Sequence, residues 1–401
     1  MRRLRIGPWR SRQFAPDLLN TPEPRRWSAG LRPSALGCTA GFGPVRRPAL
    51  RSVRLVLLLT TGGAVWSTGG QVTPHKVPPQ LSPLLVDSHG KPITSKRQWL
   101  KQREVLRKEW LEVLGSLPAC KPRLKTEILN TEHLPGFTRQ HLRYQVEDGL
   151  FTDGCLLKPK NAKGKLPAVV VFHPTTPLQA RSVASLDAEY PDEKWQGVQL
   201  VQRGYVVWCP RNYINTEGAD WQGNAQRVRA RHPNWTGMTR MVWDAIRAAD
   251  FLESLPNVNR KRIGCIGHSL GGKEVLYAMA FDERYQAGVS SEGGIGLRFS
   301  NWNDAWYLGK LIDQPSFRRE NHEVLALIAP RAFLLLAGNS ADDERSRAFI
   351  EAIKPIYALF GAGEKVYLFN HGLGHRYPPE ARAMAEEFLD RFLKKRAVAI
   401  R

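Results

Sequence analysis

Short apolar runs alternate with amphipathic segments along most of the chain from about residue 138 onward. The runs at 166–172 and 204–209 have no polar face, which is typical of parallel strands buried on both sides. The same patterning predicts further strands at 140–146, 150–157, 262–266, 287–290, 332–337 and 365–369, and helices at 237–254, 271–281, 344–360 and 378–394. Strands that alternate with helices predict an α/β fold with a mostly parallel central sheet and helices on both faces.

Three segments depart from this alternation. After a Pro-rich linker, apolar residues at helical spacing predict a helix across 97–115. Two long interruptions, at 211–235 and 293–322, are rich in polar and aromatic residues and lack a clean period. Loops of this length in a compact domain usually build the binding site, so we expect long loop insertions that form a lid. The alternative is that their aromatic residues only pack this lid onto the core.

The formal net charge of +22 is concentrated at the N-terminus. Residues 1–54 contain twelve Arg but only Asp17 and Glu23 as acidic residues, and an apolar run of eleven residues follows at 55–65. A basic segment before a short apolar run is typical of a signal peptide, and the run is too short for a stable membrane span. We predict a leader at 1–67, with 1–43 lying before the start that is used, and a secreted or periplasmic protein. The alternative is a disordered tail before a buried apolar segment.

The composition argues against several function classes. No zinc-finger spacing, basic zipper or RNA-binding aromatic signature accompanies the positive charge, so no nucleic-acid partner is predicted. Neither Cys-x-x-Cys nor His-Glu-x-x-His occurs, so no metal site is predicted. Cys155, Cys209 and Cys265 lie in apolar, strand-like runs, which predicts buried thiols in the core.

The sequence Gly267-His268-Ser269-Leu270-Gly271 joins a short apolar strand to an amphipathic helix. A nucleophile elbow requires this order of strand, sharp turn and helix, because a strained turn holds the serine hydroxyl above the edge of the sheet. The amide of Leu270, at the N-terminus of the helix, is suited to stabilise a developing oxyanion. Ser269 is therefore the candidate nucleophile, and an ordinary glycine-rich turn is the alternative.

With this elbow, the stretch from about residue 167 to 393 resembles the α/β-hydrolase superfamily, and within it the dienelactone-hydrolase and acetylxylan-esterase-like group. The resemblance implies catalytic residues in the chain order serine, acid, histidine, and acyl transfer without a cofactor. It also implies a catalytic domain at 138–401, preceded by the Pro-rich linker and N-terminal helical segment at 68–137.

A serine hydroxyl needs a neighbouring imidazole that takes its proton. His375, in a Gly-His-x-x-Pro-Pro sequence after the last predicted strand, resembles the catalytic histidine of the superfamily. His371 precedes it by four residues, but the intervening glycines disfavour a helix that would bring both to one metal. We expect His375 to be the base and His371 to form hydrogen bonds within the loop.

Two carboxylates compete for the role of the acid. Asp342 follows the predicted strand at 332–337, which resembles the usual position of the acid in the superfamily. Glu292 follows the preceding strand, twenty-three residues after the nucleophile, and so resembles the acid of glucuronoyl esterases. Lys273 resembles the lysine that those enzymes use for sugar hydroxyls, whereas Leu270 stands where they carry an arginine. Asp342 is the first choice and Glu292 the alternative.

The second oxyanion donor is expected from the loop after the strand at 166–172. Superfamily members usually place a His-Gly sequence there, whereas this chain has Thr175 and Thr176, whose backbone amides are the candidates. His173, two residues before Thr175, is expected to pack this loop.

Together these residues predict a serine carboxylic-ester hydrolase that forms an acyl-enzyme on a small-molecule or oligosaccharide ester. The resemblance and the leader favour a carbohydrate-linked ester, of the acetylxylan-esterase or glucuronoyl-esterase kind, with Lys273, Trp302 and Trp306 binding the sugar. One rival is a peptidase of the prolyl-oligopeptidase type, although residues 68–137 are too few for the propeller of that family. The other is a non-catalytic binding protein on the same fold, against which the complete set of triad candidates argues.

Overall fold

A computed structural model describes residues 79–185, 196–216 and 220–394. The predicted leader at 1–67 lies outside these ranges. Among the described helices, none is both long and apolar enough to cross a membrane.

A nine-stranded sheet forms the centre of the fold, in the order β1-β2-β3-β5-β4-β6-β7-β8-β9. The strands are β1 (Glu127–Leu134), β2 (Phe137–Glu147), β3 (Leu150–Pro159), β4 (Leu166–Phe172), β5 (Val206–Pro210), β6 (Val258–His268), β7 (Tyr285–Ser291), β8 (Ala332–Ala337) and β9 (Val366–Asn370). The pairs from β5 to β9 are parallel, and β1, β2 and β3 add an antiparallel edge. The prediction of a mostly parallel central sheet is confirmed.

Helices cover both faces of this sheet. In the described ranges they are α1 (Lys96–Leu114), α2 (Ala180–Ala184), α3 (Gln196–Gln202), α4 (Trp221–Arg231), α5 (Gly237–Ser254), α6 (Leu270–Phe281), α7 (Asn321–Ala326), α8 (Arg347–Leu359) and α9 (Pro379–Leu393). Alternate side chains of β4 enter two separate apolar cores, one shared with α1, α5, α6, α7 and α8 and the other with α2, α3 and α9. This explains why β4 has no polar face.

Five strands and helices of the described ranges were not predicted, namely β1, α2, α3, α4 and α7. Helices α2, α3 and α7 have only five to seven residues each, too few for a clear helical period. Strand β1 is mostly exposed and has no apolar face, so alternation could not reveal it. Residues 211–235 were expected to lack regular structure, but α4 lies within them. Its buried side chains are few, namely Asn224, Ala225 and Val228, and its start is fixed by Asp220, whose side chain accepts a hydrogen bond from the amide of Gly223. A helix with so narrow an apolar face gives only a weak periodic signal.

The carboxyl ends of four adjacent parallel strands meet at one edge of the sheet. Ser269 directly follows β6, Glu292 follows β7, Asp342 follows β8 after a short loop, and His375 follows β9. Because neighbouring parallel strands end at the same edge, residues far apart in the chain are brought together there. The candidate site lies at this edge.

Candidate active site

Ser269 lies in a sharp turn between β6 and α6. Its backbone has φ 58° and ψ −115°, a left-handed conformation that is costly for a residue with a side chain. The amide of Ser269 donates to the carbonyl of Ser291 at 2.8 Å, which ties the turn to β7. A Cβ atom on Gly271 would lie 2.1 Å from the carbonyl oxygen of Phe172, so only glycine allows β4 to pass this close. The predicted elbow geometry is present.

His375 lies directly beside this serine. Its Nε2 atom is 2.9 Å from the Oγ atom of Ser269, and its Nδ1 atom is 3.2 Å from Oε2 of Glu292. Donation from Nδ1 to the carboxylate leaves the lone pair of Nε2 directed at the serine hydroxyl. The imidazole is exposed on its outer side, where a substrate can approach. Serine, histidine and glutamate thus form one continuous hydrogen-bonded chain.

The Glu292 side chain is completely buried. Its carboxylate accepts hydrogen bonds from the backbone amides of Gly338 and of Ala341, the latter at 2.8 Å. Its backbone has φ 50°, and its amide donates to the carbonyl of Leu336 at 2.9 Å, so β8 holds its backbone and the loop after β8 holds its carboxylate. These contacts fix the carboxylate against His375, and no lysine or arginine of the described ranges forms an ion pair with it.

Asp342, the first choice for the acid, binds elsewhere. Its carboxylate accepts from the amides of Gly294 at 2.7 Å and Ile295 at 2.8 Å, and from the hydroxyl of Ser346 at 2.9 Å. Burial raises the pKa of Asp342, and these hydrogen bonds oppose the shift. Sequence position alone suggested Asp342, but its side chain turns toward the loop after β7 and Glu292 contacts the histidine instead.

His371 does not contact the serine. Its Nδ1 atom accepts from the amide of Leu373 at 3.1 Å, within the same loop. Its own amide donates to the carbonyl of Ala337 at 2.9 Å, which anchors this loop to the end of β8. The expected role in loop stabilisation agrees with these contacts.

The candidate oxyanion donors lie on both sides of Ser269. The amide of Leu270 belongs to the first turn of α6, where an amide has no intrahelical acceptor. Thr175 is exposed, whereas Thr176 is buried and its carbonyl accepts from the amide of Gln179 at 3.1 Å. The Leu270 side chain itself is buried in the core, so only its backbone faces the site.

His173 fixes the loop that carries the two threonines. Its ring is buried, with Nδ1 2.8 Å from the carbonyl of Pro174 and Nε2 accepting from the amide of Asn212 at 3.1 Å. Burial lowers the pKa of His173 to about 4, so the ring is neutral and Nδ1 carries the proton that Pro174 accepts. In a trans peptide the N–H points opposite to the C=O, so this bond turns the amide of Thr175 away from His173.

Lys273 lies one turn after the nucleophile on α6 and is almost completely buried. Its ammonium donates to the carbonyl of Gly293 and to the hydroxyl of Ser300, the latter at 2.9 Å. The Nζ atom also lies 4.8 Å from the ring centroid of Trp302 and 5.3 Å from that of Tyr307. Burial lowers the pKa of Lys273 to about 8, although nearby Asp342 and Asp304 raise it.

The two predicted aromatic residues have different surroundings. Trp302 is fully buried and its indole donates to the carbonyl of Gly294 at 2.6 Å, so its ring supports Lys273 and has no free face for a sugar. Trp306 is only half-buried and contacts Trp221. The structure thus places the ring of Trp302 in the core and not at a surface that a sugar could reach. Tyr307 was not predicted as a site residue. The 293–322 segment has no periodicity that would distinguish exposed aromatic side chains from buried ones that pack beneath the site.

Residues 152–301 match the dienelactone hydrolase family. The matched stretch begins in β3 and includes Ser269, Lys273 and Glu292, while His375 lies beyond it.

Similar proteins were found both by sequence and by structure. The chain is 25% identical over 303 residues to the putative hydrolase YtaP of Bacillus subtilis (strain 168), covering 72% of this chain and 98% of that protein. It is 28% identical over 149 residues to a 4-O-methyl-glucuronoyl methylesterase of Cerrena unicolor, covering 30% of this chain and 31% of that enzyme. A solved glucuronoyl esterase from Solibacter usitatus superposes with a TM-score of 0.63 at 20% identity, covering 78% of this chain and 98% of that one.

The structural likeness concerns the fold, and the family match concerns the part of the chain that carries the elbow. The chain has the α/β-hydrolase fold, and its residues 152–301 match the dienelactone hydrolase family.

Proposed function

We propose that Ser269, His375 and Glu292 act as nucleophile, base and acid in a two-step acyl transfer. Nε2 of His375 takes the hydroxyl proton as Oγ attacks the ester carbonyl, and the imidazolium then gives this proton to the leaving alcohol. Water attacks the acyl-enzyme by the same route and releases the acid. Glu292 holds the proton on Nδ1 and stabilises the imidazolium. The single observation that carries this proposal is the continuous hydrogen-bonded chain from Ser269 through His375 to Glu292.

The oxyanion would be stabilised by two backbone amides. That of Leu270 is supported by its position in the first turn of α6. That of Thr175 is supported by the orientation that the hydrogen bond between His173 and Pro174 imposes on it. Thr176 is the weaker candidate because it is buried, whereas Thr175 is exposed.

For the substrate, we propose an ester of a uronic acid within a carbohydrate. The support is the position of Glu292 after β7 and the buried ammonium of Lys273 one turn from the nucleophile. Two donors of this ammonium are used by Gly293 and Ser300, and the third finds no acceptor among the described residues. A sugar hydroxyl beside Ser269 would accept this remaining hydrogen bond.

An acetyl ester of a carbohydrate is the second candidate, and Leu270 favours it. An arginine at this position would add a charged donor to the site, whereas the leucine side chain is buried in the core. Acetyl transfer needs no such donor, because backbone amides suffice for the oxyanion.

Rates on a methyl glucuronate ester and on acetylated xylose distinguish the two candidates. We expect Ser269→Ala to abolish both activities, and Lys273→Met to raise KM for the uronate ester about tenfold with little effect on a simple acetyl ester, because one charged hydrogen bond is lost. Lys310→Met is the matched control, since Lys310 is exposed. A uronate rate no higher than the acetyl rate in the wild type would select the acetyl ester, and an active Ser269→Ala would refute the mechanism.

We also propose that the protein is exported, on the sequence pattern of the leader alone. Mass spectrometry of the secreted chain, with a new N-terminus near residue 68, would test this. Retention of residues 1–67 in the mature chain would refute it.

A further inference from the structure

Two of the buried thiols lie directly opposite each other in the central sheet. Cys155 on β3 and Cys209 on β5 are register partners in an antiparallel pair of strands. Both side chains enter the same apolar core, whereas those of the next register pair, Leu156 and Trp208, enter the other one. Opposite residues of antiparallel strands share a face of the sheet, so the two thiols are direct neighbours on that face.

The spacing of the two strands suits a disulfide bond. Directly opposite residues have Cα atoms about 4.5–5.5 Å apart, within the range of about 4.4–6.8 Å that disulfides span. Their Cβ atoms lie about 4.5–5.5 Å apart, against about 3.5–4.5 Å in a disulfide, so closing the bond needs an approach of about 1 Å. The strands already pass very close here, since a Cβ atom on Gly154 would lie 2.3 Å from the carbonyl oxygen of Cys209. The amide of Arg211 donates to the carbonyl of Asp153 at 2.8 Å and fixes this register.

One of the two thiols can be reached from solvent. Cys155 lines a cleft of about 490 Å³ beside the antiparallel edge of the sheet and retains 5% of its surface exposed, whereas Cys209 is completely buried. The charged and titratable side chains of the cleft are those of Glu132, Arg139, His141, Asp153, Arg181 and Arg211. Three arginines against two carboxylates favour a thiolate in this cleft and attract an anionic reagent.

We infer that Cys155 and Cys209 form a cross-strand disulfide bond when the folded chain meets a small-molecule disulfide such as oxidised glutathione. The thiolate of Cys155 attacks one sulfur of the reagent, which forms a mixed disulfide and releases one glutathione thiolate. The thiolate of Cys209 then attacks the sulfur of Cys155, which forms the cross-strand bond and releases the second glutathione thiolate. The two released thiolates take up the two protons of the protein thiols, and the reagent gains the two electrons that the pair loses.

The bond would tie the antiparallel edge, β1 to β3, to the parallel part of the sheet. It would also close the stretch of chain between β3 and β5, which includes β4 and the loop that carries Thr175. Neither the proposed ester hydrolysis nor the proposed export is needed for this chemistry.

Burial sets the rate of the exchange. It raises the pKa of the Cys155 thiol to about 11, although the nearby Arg139 opposes the shift, and it raises the pKa of Cys209 well above its usual range. Only the thiolate attacks a disulfide, so the rate should rise about tenfold for each pH unit between about pH 7 and 9.

The test uses the full chain and oxidised glutathione as the reagent. The exposed Cys120 and Cys38 of the predicted leader are first replaced by alanine, so that other disulfides cannot form through them. Mass spectrometry of non-reduced peptides should then find Cys155 linked to Cys209. Circular dichroism should show that the oxidised chain stays folded and unfolds at a higher temperature than the reduced chain, because the closed loop restricts the unfolded state.

Single variants separate the two steps. Cys209→Ala should stop at the mixed disulfide of Cys155 with glutathione, whereas Cys155→Ala should leave the buried Cys209 unmodified. Cys265→Ala is the matched control, because Cys265 is also a buried strand thiol but has Val170 and Gly288 as its register partners. This control should form the cross-strand bond as fast as the chain that retains Cys265.

Two results would overturn the inference. One is that Cys155 and Cys209 stay unlinked in the folded chain after prolonged exposure to oxidised glutathione at about pH 9, where thiolate is most abundant. The other is that Cys265 is modified as fast as Cys155, which would mean that the reagent reaches the core by unfolding and not through the cleft. Ester hydrolysis is not measured here, so a failure of the proposed function leaves this test unchanged.

Discussion

Replacing Glu292 by glutamine tests the acid of the triad with the smallest change of shape. The carboxylate receives three hydrogen bonds, from the amides of Gly338 and Ala341 and from Nδ1 of His375. Glutamine has one oxygen, which accepts hydrogen bonds, and one NH₂ group, which only donates them. One of the two backbone amides must therefore point at this NH₂ group and lose its acceptor. When the NH₂ group faces His375, the imidazole must accept at Nδ1, and its proton moves to Nε2 against Ser269.

Both orientations of the glutamine lower the rate. In one, the histidine has the wrong tautomer, and in the other the imidazolium loses the negative charge that stabilises it. Loss of an orienting carboxylate in a triad costs a factor of about 10⁴ in kcat. This corresponds to about 5 kcal/mol of activation free energy, at about 1.4 kcal/mol for each factor of ten. The buried, unpaired amide should also lower the free energy of unfolding by about 1–3 kcal/mol.

Asp342→Asn is the matched control. Asp342 is also a buried carboxylate that accepts from two backbone amides at the same edge of the sheet, but it does not contact His375. We expect a similar loss of unfolding free energy and less than about a tenfold loss of kcat. Steady-state kinetics on a small ester and thermal unfolding by circular dichroism measure both quantities. Equal kcat losses in the two variants, or retained activity in Glu292→Gln, would refute the assignment.

Three further outcomes follow from the geometry. Because burial lowers the pKa of Lys273 to about 8, KM for a uronate ester should rise between about pH 7 and 9 as the ammonium loses its proton, and Lys273→Met should abolish this dependence in steady-state kinetics. Gly271→Ala should cost about 3 kcal/mol in denaturant unfolding because its Cβ would meet the backbone of β4, whereas Gly363→Ala, with open space around it, should be harmless. Arg240→Ala should cost about 3–5 kcal/mol by the same measurement, since it removes the ion pair between Arg240 and the buried carboxylate of Asp244, whereas loss of the exposed Arg347 should cost under about 1 kcal/mol.

Local patterning predicted the fold well where burial was two-sided. The apolar run of β4 and the helical spacing of α5 follow directly from the two cores that they enter. β1 and α4 were missed because each contributes few buried side chains, so tertiary contacts and not periodicity define them. The three thiols predicted for the core, of Cys155, Cys209 and Cys265, are buried and free.

The residues proposed as nucleophile and base could be predicted from sequence because each depends on local geometry. The glycine-flanked turn alone was enough to predict Ser269, and the loop after the last strand alone was enough to predict His375. The direction of a carboxylate depends instead on which backbone amides of the two loops are free to donate to it, and on the backbone conformation of Glu292, which has a φ of 50°. No spacing in the sequence reports this angle.

The two carboxylates are linked in a reciprocal way that explains why sequence position could not separate them. Glu292, in the loop after β7, accepts from amides of the loop after β8, at Gly338 and Ala341. Asp342, in the loop after β8, accepts from amides of the loop after β7, at Gly294 and Ile295. Each acid thus secures the loop that carries the other. Of the two carboxylates, that of Glu292, whose backbone φ is 50°, lies within hydrogen-bond distance of Nδ1 of His375.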